Sequence, residues 1–377
     1  MSEQGENLLA EAIRKFNSGD RLAGLKLLQQ SADSGNKRAV LFYADNLFNE
    51  DKSQAYTYLD KAADKGMVGA LHRKVLLQLF FDTRNAATQH FLDLQQDAQA
   101  GDIQSLVALI AVFEKHPEQR NIYLALLQQT APELYQDLAL PTAVPVKPLS
   151  ELQIPELAED FVNAFNHGLQ PATETLAKDI GLVLAKAALS DIECNYLKLR
   201  YNSMLRPSLV VDPQSGRPIR DPHRTGSVVT INPELLDWTM LTIEWRMENI
   251  SGICRRYGEP TNLIHYSPGQ QYKGHYDAIV GQAALCDTNL NKFGQRQKTV
   301  LCYLNSVQSG GATVFPKLNI SVNASRGDML MFDNIDTNGQ LLHNSYHAGQ
   351  PVREGDKWIL SKWVRQSVTD YGTLAYG

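Results

Sequence analysis

The 377-residue chain reads as a multidomain α and β protein: an N-terminal α-helical repeat solenoid, then a β-rich domain with flanking helices. Three observations predict this. Over roughly the first 135 residues apolar side chains recur at three- and four-residue intervals, the period of an amphipathic helix. Within that half, one phrase returns at a fixed spacing. Beyond about residue 205 the apolar period shortens to two, and short runs are parted by Gly, Pro, Asn and Asp. Many short strands with turn signals suit a sandwich or a double-sheet jelly roll.

The helical segments are "NLLAEAIRKF", "RLAGLKLLQQSA", "AVLFYADNLF", "QAYTYLDKAA", "ALHRKVLLQLFF" and "SLVALIAVFEK". The returning phrase is "SADSGNKRAV" (31–40), "AADKGMVGAL" (62–71) and "DAQAGDIQSL" (97–106); its glycines Gly35, Gly66 and Gly101 stand 31 and 35 residues apart. Such a period means stacked helix pairs, each burying its apolar face against the next. Each glycine is expected to end a helix in the left-handed conformation. The phrasing resembles Sel1-like repeats, relatives of the tetratricopeptide repeat; the alternative is an unrelated helical bundle. "LPTAVPVKPLSELQIPEL" (140–157) carries four prolines and reads as a linker. The expected divisions are helical repeats over 1–138, a proline-rich linker and helix over 139–177, and the β-rich domain over 178–370.

Two further helical stretches, around 158–167 and 173–188, are expected before that domain. "LSDIECNYLKLRY" (189–201) predicts a helix with Ser190 as cap and Glu193 completing a capping box. The strand candidates are "SLVVD", "SVVTIN", "NLIHYSPG", "QYKGHYDAI", "TVLCYLN", "ATVFP", "ISVNA", "DMLMFDN" and "KWILSKWV". Only "PELLDWTMLTIEWRMENISGI" (233–253) interrupts them with helical spacing, as a helix laid against one sheet would.

Hydrophobic content of 43%, charged content of 20% and a net charge of −5 are ordinary for a globular chain and predict neither a nucleic-acid nor a membrane partner. The first residues, "MSEQGENLLAEAIRKF", lack a basic region followed by an apolar core, so no secretory signal is expected. Cys194, Cys254, Cys286 and Cys302 lack Cys-x-x-Cys spacing, which argues against a zinc knuckle or disulfide framework and predicts a cytoplasmic protein.

"YKGHYDAIVG" (272–281) sets His275 and Asp277 two residues apart, on one face if the segment is a strand. Downstream, "HNSYHAGQPVREGDKWILSKW" (343–363) offers His343 and His347. Two imidazoles and one carboxylate form the facial triad of non-heme iron(II) oxygenases, which leaves coordination positions open for a cosubstrate and dioxygen. A 2-oxo acid chelating that iron would need a cation for its distal carboxylate. Lys357, ten residues after His347 and among apolar neighbours, is a candidate; the alternative is a lysine snorkelling to the surface.

From about 189 to 366 the chain resembles the catalytic domain of prolyl 4-hydroxylases, Fe(II)- and 2-oxoglutarate-dependent dioxygenases. The matching pieces are "YSPGQQYKGHYD" (266–277), "KTVLCYLNSVQSGGATVFP" (298–316), "RGDMLMFDN" (326–334) and "HAGQPVREGDKW" (347–358). The resemblance implies a double-stranded β-helix (jelly-roll) fold and iron ligation by His275, Asp277 and His347, the last chosen over His343. It implies Lys357 as partner of the distal carboxylate of 2-oxoglutarate, with Tyr272 and Thr299 lining the cosubstrate pocket. Trp363 falls where the family has an aromatic near the substrate. Arg224, in "HRTGS", corresponds to the family's Arg-Thr-Ser stretch, with a glycine intervening before Ser227.

The activity implied is hydroxylation of a substrate C–H with decarboxylation of 2-oxoglutarate to succinate and carbon dioxide, with Fe(2+) and L-ascorbate as cofactors and dioxygen as co-substrate. A prolyl residue of a protein or peptide held by the helical repeats is the expected target. The rivals are hydroxylation of a free amino acid or other small molecule, a binding protein with an inactive oxygenase domain, and zinc or cupin-type use of the same ligands. His343 is expected at the surface, Trp358 and Cys302 in the core, and Gly310–Gly311 only as a tight turn.

Overall fold

In the N-terminal half, a polar side chain caps four of the nine described helices and a left-handed glycine follows three. The structure, a computed structural model, describes residues 3–376 apart from 19, 49, 79–86, 137, 139–157, 160–170, 212–217, 221–222, 282–283 and 285–286. The described helices of this half are α1 (Glu3–Asn17), α2 (Arg21–Asp33), α3 (Lys37–Leu47), α4 (Lys52–Asp64), α5 (Ala70–Leu77), α6 (Ala87–Gln99), α7 (Ile103–Val112), α8 (Pro117–Thr130) and α9 (Pro132–Tyr135). Asp20, Asn36, Asp51 and Asp102 accept from the backbone N–H three residues on, replacing acceptors the first turn lacks. Gly35, Gly66 and Gly101 have φ of 86°, 63° and 92°, the conformation their place after a helix requires. In the first and third copies of the phrase, the residue after the glycine is itself the next cap, Asn36 or Asp102. Stop and start are thus written as one dipeptide. Consecutive helices pack on one another from α1 to α9, around Leu28, Leu59, Phe91, Leu94, Leu106, Phe113 and Tyr123.

Chain contacts separate into two units, the first mainly Met1–Gln136 and the second mainly Leu169–Ala375. The proline-rich linker and nearly all of the stretch 158–167 lie outside the described residues. No described helix is long and apolar enough to cross a membrane.

The second unit begins with a departure from expectation. Residues 173–188 form no helix; they form the hairpin of β1 (Thr173–Ala177) and β2 (Leu182–Ala185). Gly181, at φ 53°, makes the turn, and β2 pairs with a third strand, so ladder bonds and burial of Leu182 and Leu184 override the local helix preference of this Ala- and Leu-rich stretch. The next element meets expectation. Helix α10 (Asp191–Asn202) opens on a complete Ser190–Glu193 capping box.

The remaining strands are β3 (Arg206–Pro207), β4 (Leu209–Val211), β5 (Pro218–Arg220), β6 (Ser227–Ile231), β7 (Thr261–Tyr266), β8 (Tyr272–His275), β9 (Arg296–Tyr303), β10 (Ser309–Gly310), β11 (Thr313–Phe315), β12 (Ile320–Val322), β13 (Met329–Asp333), β14 (His347–Gly349), β15 (Val352–Glu354) and β16 (Lys357–Arg365). They form antiparallel sheets. The large one has order β1-β2-β13-β9-β16-β7-β6-β3, and a smaller one has order β12-β11-β14-β8. Leu184, Ile264, Leu301, Leu330, Phe332 and Ile359 of the large sheet share one core with Phe315 and Val322 of the small one. Helix α11 (Trp238–Ser251) reaches β16 through Glu244, whose carboxylate accepts from Lys362 Nζ at 2.8 Å. Strand alternation therefore divides β16: Lys357, Ile359, Ser361 and Trp363 line a cavity, while Lys362 faces α11.

Candidate metal centre and cosubstrate cavity

Strands β8 and β14 pair with His275 directly opposite His347, so two histidines distant in sequence become cross-strand neighbours. Strand β8 ends at His275, and Asp277 follows in a bend rather than on the strand. Side chains hold that bend where ladder bonds would have been. Gln295 accepts from Ile279 N–H at 2.7 Å and donates to Ile279 O at 2.9 Å, and Arg296 reaches Asp277 O. The two-residue spacing still brings the carboxylate to the imidazoles. Asp277 Oδ1 lies 3.4 Å from His275 Nε2, and Oδ2 lies 3.6 Å from His347 Nε2. Among the described residues these three side chains form the one group of histidine, cysteine or acidic donors close enough to share a metal ion, with ligand atoms within 4.8 Å of each other.

The donors are prepared for such an ion. Each histidine turns Nδ1 to a backbone carbonyl two residues earlier, His275 to Lys273 O at 2.8 Å and His347 to Ser345 O at 2.9 Å, which leaves Nε2 as the free donor on both rings. Burial pushes the His347 imidazole down to about 4, so it is neutral at physiological pH. Burial opposes charge on Asp277 as well. The adjoining imidazoles and a hydrogen bond from Thr299 outweigh it and hold the carboxyl well below its usual range. A neutral imidazole at His347 and an ionised carboxylate at Asp277 are the states in which those groups bind a divalent metal, so the residues present fit Fe(II).

An open-mouthed cavity of about 520 Å³ adjoins the triad, lined also by Arg224, Tyr272, Thr313, Lys357, Ser361 and Trp363. Lys357 is 3% exposed, which excludes the snorkelling alternative. Its amine donates to Gly311 O at 2.7 Å, and burial lowers its pKa to about 8. A buried ammonium at the cavity wall, bonded to one carbonyl and 3.5 Å from Thr313 Oγ1, is a strong carboxylate site. Gly311 thus has a role beyond turning the chain, contrary to the turn-only expectation. Gly310 and Gly311, at φ 75° and 68°, place its carbonyl on the lysine.

Comparison with known proteins shows the family. Residues 261–365 match the family model described as the 2OG-Fe(II) oxygenase superfamily. The chain is 33% identical to prolyl 4-hydroxylase 1 of Arabidopsis thaliana over 196 residues, covering 48% of this chain and 67% of that protein. It is 30% identical to probable prolyl 4-hydroxylase 6 of the same plant, covering 54% of this chain and 75% of the relative. The chain belongs to the prolyl 4-hydroxylase family. A viral collagen prolyl hydroxylase from Paramecium Bursaria Chlorella virus-1 aligns in structure with 25% identity, 50% of this chain, 96% of that chain and a TM-score of 0.39. This prolyl 4-hydroxylase family member is a 2-oxoglutarate-dependent dioxygenase, with Fe(II), 2-oxoglutarate and ascorbate as cofactors and dioxygen as co-substrate.

The other predicted site residues divide. Tyr272 lines the cavity, its ring stacked on His275 with centroids 3.6 Å apart. Arg224 also lines it, bridged to Tyr272 and 5.7 Å above its ring. Trp363 lines it under the Arg296 guanidinium at 3.7 Å. Thr299 departs from the expected pocket-lining place. Fully buried, it donates from its hydroxyl to Asp277 Oδ2 at 2.7 Å and accepts from Asn334 Nδ2 at 2.9 Å. Its position on β9 across from Trp363 points it at the ligand carboxylate instead. His343 is exposed, Trp358 is half-buried against His265, and Cys302 is a buried free thiol. Sequence reasoning assigned no role to Asn334, Gln295 or Thr313, the last bonded to Tyr303 OH at 2.7 Å beside Lys357. Their signal exists only across strands.

Proposed function

We propose that this enzyme hydroxylates a prolyl residue of a protein or peptide, with His275, Asp277 and His347 holding Fe(II) and Lys357 anchoring 2-oxoglutarate. We read the facing sheets as a double-stranded β-helix and the helical unit as a Sel1-like solenoid that holds the protein partner. When bound, the iron supplies the activation of dioxygen and the coupled oxidations of 2-oxoglutarate and the substrate C–H bond.

The chain's own residues bind and orient. The observation that carries the reading is the single cavity lined both by the triad and, at Lys357, by a buried ammonium of matching sign for a dicarboxylate. Ionised Asp277 and neutral His347 bind the metal without first releasing a proton at neutral pH. Thr299, backed by Asn334, fixes the Asp277 carboxylate so that Oδ1 faces His275. Ile264, Leu301 and Ile359 give part of the cavity an apolar lining. Lys357 and Trp363 stand at the two ends of one face of β16, which supports an order of anion pocket, metal and aromatic wall along that strand. A pyrrolidine ring suits an aromatic wall.

The test supplies Fe(II), ascorbate, 2-oxoglutarate and a panel of proline-containing peptides, with mass spectrometry of the peptides alongside a succinate assay. The expected result is a gain of one oxygen atom on proline in step with succinate. Succinate stimulated by free amino acids while every peptide stays unmodified would refute the substrate reading.

A further inference from the structure

We infer that Tyr346 is a positioning residue: from the outer side of the small sheet it fixes the two strands that carry the metal ligands. The inference rests on the reading of His275, Asp277 and His347 as that ligand set. Strands β8 and β14 are four and three residues long, paired at only two positions with a register shift between them. Within its sheet β8 is the edge strand; its other side meets the chain near His223, where Lys273 N–H donates to His223 O. So short a ladder leaves register weakly specified on backbone bonds alone.

The outer face supplies what the ladder lacks. Gly274 and His275 alternate across β8, so the ligand turns inward and Gly274 outward; Tyr346, just before β14, lies over Gly274 and meets Tyr276, just after β8. The two tyrosine rings meet at 5.1 Å and 61°. Lys317, just beyond β11, donates to Tyr276 OH at 2.7 Å and stands 5.4 Å and 5.8 Å from the two rings. The cluster therefore joins the exit of β8, the entry of β14 and the exit of β11.

Gly274 shows how close the fit is. A Cβ there would overlap the Tyr346 hydroxyl and lie 2.6 Å from Cζ and 2.8 Å from Cε1. The ring covers β8 at the residue before His275, and the absent side chain is what lets it lie there. An aromatic ring over a strand glycine is a known means of fixing register. Sliding either strand would drive the ring off Gly274 and move His347 relative to His275.

The test is a double-mutant cycle on Gly274→Ala and Tyr346→Ala in the full chain, with Tyr346→Phe as the conservative variant. Co(II), an air-stable stand-in for Fe(II), is titrated by its visible spectrum, and melting of the metal-free protein is recorded beside it. Tyr346→Ala is expected to weaken Co(II) binding roughly three- to tenfold and to alter the band shape, in proportion to one lost aromatic pair. Tyr346→Phe is expected to stay within about twofold of the parent, since the ring remains. Gly274→Ala is expected to weaken binding in the parent but to add nothing in the Tyr346→Ala background. Unchanged Co(II) affinity in Tyr346→Ala, or equal losses in Tyr346→Phe and Tyr346→Ala, would overturn the inference. His347→Ala separates the two layers: if it binds Co(II) normally, the ligand assignment fails; if it loses Co(II) while Tyr346→Ala binds normally, only the positioning role fails.

Discussion

In the helical unit, Asn36, Asp97 and Asp102 accept from backbone N–H groups at helix starts, whereas the buried polar groups Asp277, His347 and Lys357 of the oxygenase unit converge on one cavity. The first group substitutes for hydrogen bonds that a helix cannot make for itself. The second is arranged around groups the chain does not contain. Lys357 is 3% exposed with a lowered pKa, so its charge opposes the fold until an anion arrives. Polar groups in one unit cap helices; in the other they gather at a cavity, where the proposed function gives them binding to do.

Removing a ligand breaks the comparison most severely. His347→Ala and Asp277→Ala are expected to bring 2-oxoglutarate turnover below detection while helical content, read by circular dichroism, is retained. His343→Ala keeps most of its activity, because that ring is exposed and outside the triad. Normal succinate production by Asp277→Ala at ambient iron would sink the assignment.

Lys357→Ala comes next. Leaving the distal carboxylate of 2-oxoglutarate unpaired costs on the order of 2–5 kcal/mol, which raises its apparent constant about thirtyfold or more. Lys357→Arg is expected to be intermediate, since charge remains but the fork differs in geometry. Metal titration is expected to be the same in all three proteins, and an unchanged 2-oxoglutarate constant in Lys357→Ala would leave the cosubstrate without its anchor.

The same lysine predicts a pH dependence. Its folded pKa, about 8, is below the unfolded value, so between the two the unfolded chain holds the extra proton and the ligand-free protein gains stability as pH rises. Binding runs the other way. The anion needs the ammonium, so affinity for 2-oxoglutarate is expected to fall by up to about tenfold per pH unit above about 8. Lys357→Arg is expected to flatten that limb, as guanidinium keeps its proton. Calorimetric titration from pH 7 to 9.5 (about the accessible range) distinguishes a flat parent profile, which would contradict the assignment, from a falling one.

The contrast also explains what was legible in the sequence. The capping box at Ser190–Glu193 and the stops at Gly35, Gly66 and Gly101 are local, so residue order alone reveals them. That His275, Asp277, His347 and Lys357 would meet at one cavity was legible because their spacing is a family pattern. The hairpin of β1 and β2 was not. Its Ala, Leu and Lys residues favour a helix, and only the open edge of β13 makes the strand. Likewise, the Asn334–Thr299–Asp277 relay joins residues 35 and 22 positions apart, and Gly311 meets Lys357 across 46. No local period records such contacts.

The smallest expected effect lies in the helical unit. Asp51 caps α4 by accepting from Gln54 N–H at 2.9 Å, at an exposed position with no described contact to a buried charge. Asp51→Ala leaves that donor to water and is expected to cost about 1 kcal/mol, Asp51→Gly only a few tenths, and Asp51→Asn close to nothing. Thermal melts of the four proteins measure this order directly. The 2-oxoglutarate constant and the Co(II) titration are expected not to move in any of them, because a cap holds its own helix and the cavity is built from β-strands. A shift in the cosubstrate constant on Asp51→Ala would mean that the two units are energetically coupled, and that a cap in the helical unit serves the cavity after all.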